Sequence, residues 1–92
     1  MIELGGNIVL SGFKELEPAQ LIVVKKMVGS YVKKISDTYD FIKLSLNLKK
    51  LHNKQVELHG KIDFKDNFRV AEVDDHNLFF ALNKVLGKLE PK

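Results

Sequence analysis

Between Ile42 and Lys49 apolar and polar residues alternate strictly, with Ile42, Leu44, Leu46 and Leu48 set between Lys43, Ser45, Asn47 and Lys49. Successive side chains on a strand point to opposite faces, so this spacing predicts a strand from about Asp40 with one buried and one wet face. The same period returns in Val56, Leu58, Ile62 and Phe64, set against Glu57, His59, Lys61 and Asp63, with Gly60 at an inward position. The LHNKQ between them (51–55) predicts a turn around Asn53, Lys65-Asp66-Asn67 closes a hairpin, and Phe68 to Val73 reads as a further short strand. Near the start, Ile2, Leu4, Ile8 and Leu10 form a first strand candidate interrupted by Gly5-Gly6. A double glycine inside a strand pattern predicts a bulge or a sharp bend.

Two segments follow a different period. From Pro18 to about Ser36, Leu21, Val24, Val28, Tyr31 and Ile35 recur at spacings of three and four, which is one face of a helix. Pro18 suits its first turn, where the missing N–H has no intrahelical partner in any case. Leu78, Leu82, Val85 and Leu89, with Phe79 and Leu86 beside them, mark a second amphipathic helix. Asp74-Asp75-His76 precedes it, and the cluster invites a catalytic or metal-binding reading. The two acids stand where an N-cap belongs, however, and no second His or carboxylate sits four residues after His76 to complete a metal pair. We therefore read the triplet as the opening of the helix. The resulting order is β-α-β-β-β-α, an α+β two-layer sandwich whose four-stranded sheet carries both helices on one face.

Ninety-two residues with 45% apolar content suffice for one core, so residues 1–92 are read as a single domain. The absence of cysteine excludes disulfides, thiolate-held metals and a thiol nucleophile. No basic segment leads into an apolar run at the N-terminus and no apolar stretch is long enough to span a bilayer, so the expectation is a cytoplasmic protein with no membrane partner. His52, His59 and His76 are scattered over a turn, a strand and a helix start, which leaves no expected metal site. Gly5-Gly6 lacks the context of a phosphate loop, Ser11, Ser30, Ser36 and Ser45 lack that of a nucleophile elbow, and Asp63 and Asp66 flank a turn for local reasons. Neither catalytic residues nor a cofactor are expected.

The net charge of +3 is mild, and all but one of the fifteen basic residues are lysine. Its distribution is more telling than its size. At about 100° per residue, Lys26 and Lys33 fall opposite the core stripe of the first helix and Lys25 and Lys34 flank them, with no acid from Pro18 to Ser36. Lys84 and Lys88, four apart on the second helix, add a further basic edge. These six lysines are the expected phosphate contacts, of the kind that positions a protein on nucleic acid without reading sequence. The open sheet face offers no row of aromatics on which bases could stack. Ile22 and Val23 also fall toward the outer side of the first helix, where they could form a protein contact or a homodimer seam.

Ala71-Glu72 followed by Asn77, Leu78, Phe79, Ala81, Leu82 and Asn83, with a closing Lys88-Leu89, resembles the second helix and its approach in the short-form ribosome hibernation-promoting factors and ribosome-associated translation inhibitors. Gly6-Asn7 in the first strand, and Tyr31 and Ile35 late in the first helix, are similar to the same family, and the likeness spans nearly the whole chain. It implies the β-α-β-β-β-α order, binding to the small ribosomal subunit and its ribosomal RNA near the decoding centre, and inhibition of translation in idle ribosomes. In the alignment it implies, Lys34 coincides with a basic position of the family, Lys25 and Lys26 stand beside two others, and Val24 and Met27 occupy those columns.

Overall fold

The computed structural model describes residues 2–50 and 55–91, so the turn predicted around Asn53 lies outside the described residues. The elements are β1 (Ile2–Leu4), β2 (Ile8–Ser11), α1 (Pro18–Thr38), β3 (Phe41–Lys50), β4 (Val56–Phe64), β5 (Phe68–Asp75) and α2 (Leu78–Leu89). They form one mixed sheet in the order β1-β2-β3-β4-β5. β2 runs parallel to β3 across the α1 connection, and β3, β4 and β5 form an antiparallel meander.

The sheet thus has five strands, not the four expected. Gly5 and Gly6 adopt φ values of 63° and 79°, a left-handed conformation that side chains disfavour and glycine takes freely. Two such residues in succession reverse the chain, so the presumed single strand is a hairpin pairing Ile2 with Leu10 and Leu4 with Ile8. A second departure is local. The register between β3 and β4 shifts between Phe41 and Lys43, inserting one extra residue on β3. Ile42 therefore leaves the inward row that the alternation assigns it and is 54% exposed, while Phe41 packs against the core.

Leu44, Leu46 and Leu48 on β3, Leu58 and Ile62 on β4, and Ile8 and Leu10 on β2 meet Val24, Val28, Val32 and Ile35 of α1 and Leu78, Ala81, Leu82, Val85, Leu86 and Leu89 of α2 in one core. Both helices lie on that face, as expected. Gly60 sets how closely α2 approaches: a Cβ there would come within 2.8 Å of the Leu89 side chain and 3.1 Å of that of Leu46. Among the described residues no charged residue is buried, so the ionisable groups act at the surface.

The entry into α2 also differs from expectation. β5 keeps pairing with β4 through Glu57↔Asp74 and Val56↔Asp75, so the ladder claims both acids. The N-cap is Asn77, whose Oδ1 accepts from the backbone N–H of Phe79 (2.9 Å) and Phe80 (3.1 Å). Asp75 instead braces the bend by accepting from the N–H of Asn77 at 3.0 Å. At the start of α1 the backbone N–H of Glu17 donates to Gln20 Oε1 at 3.2 Å, one arm of a capping box ahead of Pro18.

Candidate functional site

The six lysines singled out in the sequence are exposed on the two helices. Burial of Val24, Val28, Val32 and Ile35 turns Lys25, Lys26, Lys33 and Lys34 outward. They differ in how they are engaged. Lys34 Nζ lies 3.4 Å from Glu90 Oε1, joining the C-terminal ends of the two helices. Lys84 Nζ donates to Asp75 Oδ2 at 2.8 Å, and this bond, with the Asn77 N–H, holds the Asp75 carboxyl below the usual carboxylate range. Lys25, Lys26, Lys33 and Lys88 make no ion pair among the described residues.

Arg69 is a basic residue that the sequence reading passed over. It stands on β5 opposite Ile62, hence on the helix side of the sheet, and its Nη2 donates to the Lys88 carbonyl at 3.3 Å. Arg69, Lys84, Lys88 and Glu90 line one surface hollow, so the strand edge and the second helix pool three cations. The signal was a lone arginine at an inward position of a strand, where only an edge lets a charge reach water. The Tyr31 hydroxyl is buried and finds no hydrogen-bond partner among the described residues. Burial, reinforced by the negative charge of Glu90 and opposed by Arg69, pushes its pKa up to about 12.

The open face of the sheet has the opposite balance. Residues paired across strands share a face, which gathers Glu3, Glu57, Asp63, Glu72 and Asp74 with Lys43, Lys49 and Lys61, so acids outnumber lysines there. Lys61 reaches Asp63 at 3.9 Å and lies over the Phe68 ring, 5.0 Å from its centroid. A shallow trough of about 540 Å³ crosses this face, with Ser11, Ser45, Asn47, His59, Lys61 and Glu72 on its walls. His59 Nε2 lies 2.7 Å from Glu57 Oε1, and that hydrogen bond keeps the Glu57 carboxyl below its ordinary range.

Cations thus collect on the helix side of a two-layer α+β sandwich and acids on its bare sheet. No protein-family model matches the sequence, and no curated protein matches it. Solved structures do match in fold. The N-terminal domain of Protein Y from Thermus thermophilus superimposes with a TM-score of 0.65 at 17% identity, over 89% of this chain and 87% of that one. A ribosomal subunit interface protein from Coxiella burnetii does so with a TM-score of 0.63 at 10% identity, over 90% and 86%. The resemblance read in the sequence therefore holds at the level of the fold. No helix among the described residues is long and apolar enough to cross a membrane.

Proposed function

We propose that this protein is a non-enzymatic RNA-binding factor that associates with the ribosome, occludes the small subunit and inhibits translation when ribosomes are idle. The observation that carries the reading is the segregation of charge: an acid-free run from Pro18 to Ser36 presents four lysines on the side away from the acidic sheet. Lys25, Lys26 and Lys33, supported by Lys34, Lys84, Lys88 and Arg69, would neutralise phosphates of ribosomal RNA. The fold shared with Protein Y and with a subunit interface protein supports the choice of the ribosome as the RNA-bearing partner. Occlusion asks for no bond-making, only for a rigid body held by many weak phosphate contacts. Each such contact releases counterions, so log affinity falls by about 0.7 to 0.9 per neutralised phosphate for each tenfold rise in salt.

Co-sedimentation with ribosomes of the source organism in sucrose gradients tests this directly. The protein should travel with the small subunit or the whole ribosome at low salt and leave it as salt rises. The double reversal Lys26→Glu/Lys33→Glu should abolish comigration with little change in melting temperature. Comigration that survives the reversal would remove α1 from the contact surface, and a protein that stays at the top of the gradient at low salt would reduce the likeness to a shared fold.

A second reading is favoured by Ile22 and Val23, which are 56% and 42% exposed side by side on α1. Under it the helix docks against a protein or a second copy of this chain, and the lysines serve solubility.

A further inference from the structure

Sheet register brings Glu72 beside two side chains far from it in the sequence, Glu57 and His59, all three of types that can ligate a metal. His59 of β4 pairs with Glu72 of β5, and Glu57 lies two residues before His59 on the same strand, so all three project from the open face. His59 Nε2 is 2.7 Å from Glu57 Oε1 and 3.5 Å from Glu72 Oε1. One ligand atom from each residue lies within 4.8 Å of the other two. A tetrahedral ion with bonds of about 2.0 to 2.1 Å needs donors roughly 3.3 Å apart, a difference that rotation of glutamate side chains can close without moving a strand.

The arrangement is more than an ordinary ion pair. Both carboxylates approach the same ring nitrogen, which carries at most one proton and so can donate to only one of them well. A cation on Nε2 would satisfy the imidazole and both carboxylates together and relieve the repulsion between the two glutamates. The trough beside His59 leaves room for water at a further coordination position.

We propose that Glu57, His59 and Glu72 form a binding site for a divalent transition-metal ion of the zinc class. An imidazole with two carboxylates suits zinc, and the nitrogen donor selects against magnesium and calcium, which prefer all-oxygen shells. Three protein donors leave a position for solvent, as in open zinc sites. The ion would cancel two negative charges on the sheet face and tie β4 to β5, independently of the lysines on the helices.

Calorimetric titration of the full chain with zinc chloride should give one ion per chain and a raised melting temperature, with magnesium chloride giving neither. His59→Gln and Glu72→Gln, each checked to melt near the wild type without metal, should each weaken zinc binding by about tenfold or more, while His76→Gln leaves it unchanged. Cobalt(II) should give visible absorption that His59→Gln abolishes. Failure of the wild type to bind zinc, equal binding of magnesium, or zinc affinity retained by both His59→Gln and Glu72→Gln would overturn the assignment.

Discussion

The Tyr31 hydroxyl is a buried donor without an acceptor among the described residues, and the charges of Glu90 and Arg69 both act on it. Such a group forfeits its hydrogen bonds to water and gains none in return, so Tyr31→Phe should leave the protein as stable as the wild type at neutral pH or more so. The raised pKa adds a signature in base. The fold favours the neutral phenol, so its contribution is complete below pH 10 and declines as pH rises toward 12, where the unfolded chain loses the proton first. Urea midpoints measured from pH 7 to 11.5 should fall less steeply for Tyr31→Phe than for the wild type. Identical slopes would mean that the hydroxyl is solvated or bonded.

At the scale of the element, the start of α2 separates two claims about capping. Asn77 satisfies two N–H groups of the first turn, whereas Asp74 belongs to the β5 ladder. Asn77→Ala should cost about 1 kcal/mol, or roughly 4 to 8 °C in melting temperature for a chain of this size. Asp74→Ala should change it little. Equal losses in thermal melts would restore the acid as the cap. Asp75 stands between these cases, because it accepts from both the Asn77 N–H and Lys84. The helical stripe of α1 was legible from Leu21, Val24, Val28, Tyr31 and Ile35 because burial repeats with the helical period; Val32, four residues after Val28, is buried on the same stripe.

Across the whole molecule, the question is which surface meets a partner. The exposed pair Ile22 and Val23 lies on the same helix as the lysines, so a protein seam and an RNA surface would compete for α1. Gel filtration decides between them: under the ribosome reading the protein elutes as a monomer at low and high salt, and Ile22→Glu leaves elution unchanged. A dimer that persists in high salt and dissociates on Ile22→Glu would favour the docking module. The open sheet is disfavoured as the RNA surface because Glu57, Asp63, Glu72 and Asp74 dominate β4 and β5 on that face and would repel phosphate.

Hydrophobic period alone determined α1, β3, β4 and α2 and the single face they bury, because side-chain direction along a helix or strand follows directly from residue spacing. The lysine face of α1 was legible for the same reason. Tertiary pairing decided the rest. Gly5-Gly6 could serve a bulge or a hairpin, and only the partner available to Ile2 and Leu4, the row Leu10 and Ile8, selects the hairpin. Ile42 leaves the inward row because the register shift is a property of two strands together. Asp74 and Asp75 could have capped a helix until β4 offered them a ladder. Arg69 joined Lys84 and Lys88, and Glu72 joined His59 and Glu57, through the packing of α2 on β5 and the pairing of β5 with β4. These groupings bring together residues far apart in the chain, and their proximity exists only once the sheet has closed.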